Sequence, residues 1–113
     1  MSTISTHVLD TARGIPAEGV PLELETQTDR GWERIGGGTT NHDGRVQDLL
    51  TEVDELVPGV YRMTFETGAY FEKHGLDGFY PVAKVVFEVD APEEHYHVPL
   101  LLSPYGYSTY RGS

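Results

Sequence analysis

Short runs in which every second residue is apolar, cut at intervals by glycine and proline, constrain this chain more than any other feature. Val20, Leu22 and Leu24 alternate with Pro21, Glu23 and Glu25. Tyr61, Met63 and Phe65 alternate with Arg62, Thr64 and Glu66, and Val85, Phe87 and Val89 with Val86, Glu88 and Asp90. A period of two sends successive side chains to opposite faces, so each run is a strand with one face in a core and the other toward water. Ser5–Asp10, Trp32–Gly36, His95–Leu102 and Tyr105–Arg111 are further strand candidates. Between them lie turn signals: Gly14-Ile15-Pro16, Asp29-Arg30-Gly31 at hairpin spacing, Asn41-His42-Asp43-Gly44, Pro58-Gly59 and Ser103-Pro104-Tyr105-Gly106. Gly36-Gly37-Gly38, with no Lys and no helix behind it, reads as a flexible strand end and not as a phosphate loop. Only Thr67–Gly75 has helical character, with Thr67 as N-cap, Lys73 and His74 in the last turn and Gly75 just beyond the end. The pattern predicts an all-β protein: a small two-sheet β-sandwich of seven or eight strands with one short helix, a closed barrel being the alternative. No repeat, linker or low-complexity run divides the chain, so residues 1–113 form a single domain.

A chain of 113 residues buries roughly 60–70% of its unfolded surface. Its hydrophobic content of 38% is low for a large core, which leaves apolar surface for a partner subunit to complete. There is no cysteine, which excludes disulfides, thiolate nucleophiles and zinc–thiolate sites. Eighteen acidic against eight basic residues give a formal net charge of −10. Nucleic acid and anionic membrane surfaces both want the opposite sign. No apolar run approaches the roughly 20 residues of a membrane-spanning helix. Residues 1–20 lack a charged region followed by an apolar stretch, which predicts a cytoplasmic protein.

Candidate chemistry rests on histidine and arginine. His95 and His97 are two apart and share a strand face with Pro99 and Leu101, while Tyr96, Val98, Leu100 and Leu102 form the core face. Pro99 lacks a ladder donor, which favours an edge or bulged position. His7 sits among Ser5-Thr6-His7-Val8-Leu9-Asp10, where two adjacent apolar residues leave its face open. Arg45 emerges from the Asn41–Gly44 turn. Three readings compete: solvated surface side chains, which for any one residue alone is the better bet; a metal site built on the His95/His97 pair with His7 or a carboxylate; and metal-free acid–base catalysis, in which a neutral imidazole takes a proton from water while Arg45 or Arg111 holds an anionic or carbonyl-rich substrate. Periodicity alone does not bring His7, Arg45 and His97 together. The last strand pattern runs into Tyr110-Arg111-Gly112-Ser113, a polar segment that is either an edge-strand tail or, if ordered, part of a site.

Three segments carry a resemblance. Ser5-Thr6-His7-Val8-Leu9-Asp10 with Gly14-Ile15-Pro16-Ala17, Thr40-Asn41-His42-Asp43-Gly44-Arg45, and the whole stretch from His95 to Ser113 are similar to the opening, central and closing signatures of the transthyretin-related 5-hydroxyisourate hydrolases. The resemblance runs from His7 to the last residue. It implies a transthyretin-like (prealbumin-like) sandwich, and a homotetramer, a dimer of dimers, with active sites at the dimer–dimer interface of a central channel. It implies hydrolysis of 5-hydroxyisourate to 2-oxo-4-hydroxy-4-carboxy-5-ureidoimidazoline in urate degradation, without metal or cofactor. His7, Arg45 and His97 are then the catalytic residues, and Tyr110, Arg111, Gly112 and Ser113 complete the substrate pocket. His42, His74 and His95 are read as mainly structural, or as supporting the site's own residues from behind. A transthyretin-type small-ligand carrier shares the fold, but a carrier channel is apolar, and two imidazoles and a guanidinium are an odd lining for one.

Overall fold

The computed structural model describes residues 3–53 and 55–113. Among them the chain runs through β1 (Ile4–Asp10), β2 (Ile15–Pro16), β3 (Pro21–Thr28), β4 (Gly31–Thr39), β5 (Arg45–Val46), β6 (Gly59–Phe65), α1 (Thr67–Lys73), β7 (Ala83–Val89), β8 (Tyr96–Ser103) and β9 (Gly106–Thr109). One sheet has the order β4-β3-β6-β7 and is antiparallel throughout. The other runs β2-β1-β8-β9, with β5 also paired to β1. The two sheets remain separate, so the architecture is the sandwich and not the barrel. Leu22, Leu24, Tyr61, Met63, Phe65 and Val85 face inward from the first sheet, and Ile4, Val8, Tyr96, Val98, Leu100 and Leu102 from the second. These are the apolar members of each alternating run, which is why the two periodic faces close on one another.

The helix is held at its start by the segment before β7, Gly68 N–H bonding to the Pro81 carbonyl at 2.9 Å, and is tied to the second sheet. Tyr70 donates its hydroxyl to the buried Asp10 carboxylate at 2.8 Å. Burial, and then Asp10, push the Tyr70 phenol up to about 12. At the C-terminal end Gly75 takes φ +69°. Its N–H bonds to the Glu72 carbonyl and that of Leu76 to the Phe71 carbonyl, the paired bonds of a Schellman ending. The start differs from expectation. Glu66, not Thr67, is the N-cap, and no side chain caps it. Thr67 is buried instead and donates to the Tyr80 carbonyl.

Two further expectations need correcting. Gly36–Gly38 is not a loose strand end. It pairs with Leu22–Leu24 inside β4, and a Cβ at Gly36 would lie 1.7 Å from the Leu49 carbonyl oxygen, so glycine lets a loop backbone cross the strand closely. Pro99 lies in β8, which has β1 on one side and β9 on the other, and is therefore not on an edge. Residue 97 bonds through its carbonyl to Gly112 N–H on the β9 side. Backbone groups alternate sides along a strand, so residue 99 also points that way. The named strand β9 stops at Thr109, and pairing resumes only at the His97–Gly112 bridge. The missing proline donor thus falls where the ladder is interrupted.

Candidate active site

Three neighbouring strands and one returning segment build the cleft. β1 and β8 are parallel, pairing Ser5 with His97 and His7 with Pro99. β5 lies antiparallel on the other side of β1 and pairs Arg45 with His7. Along β1 the residues Ile4, Thr6, Val8 and Asp10 are buried while His7 and Leu9 are half-exposed. His7 therefore shares the outer face with Ser5 and Leu9, which resolves the face that alternation left open. His97 occupies the same outer face of β8.

Arg45 is delivered by a tightly specified turn. The Asn41 side-chain oxygen accepts from the Asp43 and Arg45 backbone N–H groups at 2.9 and 3.0 Å. Gly44 sits at φ +75°, and a Cβ there would come within 2.4 Å of the Val8 carbonyl oxygen. The same close approach gives the bond from Val8 N–H to the Gly44 carbonyl at 2.7 Å, so the turn is laced directly onto β1.

The resulting cleft, of about 260 Å³, is lined by Ser5 and Thr6 of β1, Arg45 and Val46 of β5, Gln47, His95, His97 and Ser113. Sequence reasoning missed Ser5, Thr6, Val46 and Gln47, and read His95 as structural or supporting. His7 borders this lining through its pairing with Arg45 without being part of it. Of the segment 110–113, Ser113 reaches the cleft, and Gly112 packs edge-on against His97, where a Cβ would sit 2.6 Å from the imidazole Cδ2. Tyr110 is exposed. Arg111 turns away, its guanidinium 4.6 Å over the Tyr96 ring and 3.6 Å from the Glu94 carboxylate. His42 and His74 lie together in a separate cavity with Arg13 and Lys73.

Within the cleft, Ser5 Oγ lies 2.8 Å from His97 Nδ1 and 3.0 Å from His95 Nε2. Thr3 Oγ1 closes on His95 Nδ1. Both imidazoles nearest Arg45 are biased toward the neutral form. Burial first, then the Arg45 guanidinium, hold His7 below the ordinary histidine value, while a hydrogen bond to the Asp43 backbone and the Asp43 charge pull the other way. Burial first, then Arg45, His95 and His7, hold His97 below it too. A neutral imidazole beside a fixed cation can accept a proton near neutral pH. Among the described residues no group of three or more His, Cys, Asp or Glu converges as a metal site would; the His95/His97 pair shares a serine hydroxyl.

A two-sheet sandwich with this imidazole and guanidinium cleft on its outer face defines the class as a transthyretin-like fold carrying an ionisable site. The chain belongs to the HIUase/Transthyretin family, whose profile matches residues 4–112. It is 51% identical over 110 residues to a 5-hydroxyisourate hydrolase of Salmonella dublin, covering 97% of this chain and 80% of that one. The solved structure of Klebsiella pneumoniae 5-hydroxyisourate hydrolase superposes with a TM-score of 0.87 at 40% identity and covers all of both chains. Sea bream transthyretin in complex with thyroxine superposes with a TM-score of 0.88 at 38% identity, covering 97% of this chain and 94% of that one. The fold is thus shared with a 5-hydroxyisourate hydrolase and with a transthyretin that binds thyroxine.

Proposed function

We propose that this protein hydrolyses 5-hydroxyisourate in urate degradation, opening its six-membered ring to 2-oxo-4-hydroxy-4-carboxy-5-ureidoimidazoline. The observation that carries the reading is the convergence of Arg45, His97 and Ser113 on one polar cleft, in a chain 51% identical to a named 5-hydroxyisourate hydrolase. His97 is the base: it faces the cleft, it is biased toward the neutral form, and its Nδ1 is held by Ser5. It takes a proton from water as the water oxygen bonds to the ring carbonyl. Arg45 holds the oxyanion that develops, using a rigid fork of donors. The C–N bond then breaks and the leaving nitrogen takes a proton from the imidazole. His7, on the strand between β5 and β8, acts as the second imidazole of the site. Gly112 and Ser113 wall the cleft, and Arg111 pins that wall through Glu94 and Tyr96.

The working unit is a homotetramer in the cytoplasm. Its support in this chain is the set of large apolar side chains a lone subunit leaves in water, with Phe79 68%, Tyr105 72%, Val86 58% and Tyr110 58% exposed. No described helix is long and apolar enough to cross a membrane. The test is to generate 5-hydroxyisourate from urate with urate oxidase and follow its decay by ultraviolet absorbance. Purified protein should hasten the decay severalfold or more; an unchanged rate, together with calorimetric binding of aromatic ligands, would instead make it a carrier.

A further inference from the structure

We propose that Ser5 is a positioning residue that links His97 to His95 in a proton relay ending at Thr3. The inference rests on His97 being the base of the proposed hydrolysis. Its ground is a geometry that no simpler role requires. Ser5 Oγ is the shared partner of two ring nitrogens, His97 Nδ1 at 2.8 Å and His95 Nε2 at 3.0 Å. The two rings lie nearly parallel, 17° apart with centroids separated by 6.3 Å. Thr3 Oγ1 continues the line at His95 Nδ1, on the exposed side. Parallel pairing of β1 with β8 sets Ser5 directly beside His97, so the contact is built into strand register.

A hydroxyl has one proton to donate, so it cannot donate to both rings. Two directions of the chain satisfy every bond. In the first, His97 Nδ1–H donates to Ser5, the Ser5 hydroxyl donates to His95 Nε2, and His95 Nδ1–H donates to Thr3. His97 Nε2 then carries a lone pair. In the second all three donations are reversed, and His97 carries its proton on Nε2. Moving from first to second takes one proton from the attacking water onto His97 Nε2. The Nδ1 proton passes to Ser5 Oγ, the serine proton to His95 Nε2, the His95 Nδ1 proton to Thr3 Oγ1, and the threonine proton to solvent. Each N–H or O–H bond broken is matched by one formed, and His97 stays neutral throughout. That matters because burial and Arg45 both disfavour an imidazolium at this position. When Nε2 then gives its proton to the leaving nitrogen, solvent refills the line in reverse and His97 regains its lone pair.

The experiment combines nitrogen-15 NMR of labelled histidines with kinetics on Ser5→Ala, Ser5→Thr and His95→Phe. Ser5→Ala should shift the tautomer-sensitive Nδ1 and Nε2 resonances of His97 and lower kcat about 10²-fold, the low end of an acid–base contribution, with KM changed less than threefold. Ser5→Thr keeps the hydroxyl and should recover most of both. His95→Phe keeps the ring on an exposed site while removing the nitrogens, so it tests the relay even if Ser5→Ala folds poorly; it too should lower kcat with KM held. An unchanged His97 tautomer pattern in folded Ser5→Ala, or undiminished kcat in His95→Phe, overturns the relay. Wild-type protein inactive on 5-hydroxyisourate overturns the proposed function instead, and the NMR arm still reads the Ser5 coupling.

Discussion

At the scale of single residues, the cleft turns on the placement and charge state of His97. His97→Asn keeps a polar side chain but loses the proton acceptor, so kcat should fall about 10²–10⁴-fold while the melting temperature changes little; near-normal turnover in that variant would remove His97 from the mechanism. Gly112→Ala tests position without touching the imidazole chemistry. Its added methyl would lie 2.6 Å from His97 Cδ2, so ring or segment must shift, and a displacement of about 1 Å can cost about 10²-fold in rate. The pH dependence follows from the same environment. His7 and His97 are both held below the ordinary histidine value, so the unfolded chain binds their protons first as pH falls. Stability from these two groups is complete above about 6.5, the unfolded value, and is lost as pH drops through the lower folded values. The acid limb of kcat/KM should likewise lie below the ordinary histidine range. A pH–rate profile with its acid midpoint above that range would contradict the neutral-imidazole reading.

At the scale of elements, the turn before β5 and the segment after β9 do different work. Gly44 has a left-handed φ of +75° and no room for a Cβ against Val8, so Gly44→Ala should cost about 1–3 kcal/mol of stability and also misplace Arg45. Chemical denaturation beside the urate-coupled assay reads both losses. Removing residues 110–113 deletes the bond from Gly112 N–H to the His97 carbonyl, about 1 kcal/mol in net terms, along with the Arg111–Glu94 pair, exposed and worth little. The melting temperature should fall by only a few degrees, yet kcat should drop steeply because one wall of the cleft is gone. A truncated protein with full activity would show the segment to be only a tail. These elements also mark what could be read in advance. The long strands were legible because Leu22 and Leu24, Tyr61, Met63 and Phe65 repeat every second residue. β2 and β5 are two residues each, too short for any period. His7 was ambiguous because Val8 and Leu9 are both apolar, and only packing sends Val8 inward. Ser5 was invisible as a site residue since its partners lie 90 and 92 residues away, joined by a parallel pairing that no local pattern reports. Arg111 was expected in the pocket because a guanidinium suits the substrate; Glu94 and Tyr96, sequence-distant from it, claim it first.

At the scale of the whole molecule, the outer face that carries the cleft raises the question of what excludes water from it. Amide hydrolysis by imidazole and guanidinium gains from a low local dielectric, because the oxyanion and the Arg45 charge then interact through fewer screening waters. In a lone subunit Arg45 and His95 are exposed, and Tyr110, on the segment that walls the cleft, is 58% exposed. Exposed Phe79 and Tyr105 leave further large apolar area uncovered on a chain whose net charge of −10 opposes unspecific clumping. A second copy packed over the cleft would cover Tyr110 and shield His97 and Arg45 together, so assembly and activity should be coupled. Sedimentation and light scattering should give a tetramer at micromolar concentration. Diluting the protein until it dissociates should lower specific activity severalfold, and reconcentrating it should restore the loss. Replacing Tyr110 by Ala, which leaves His97, Arg45 and Ser5 untouched, should weaken association and shift the activity loss to higher protein concentration. A monomer that stays fully active through the same dilution would mean that one subunit shields its own cleft, and the exposed aromatics would then need another partner.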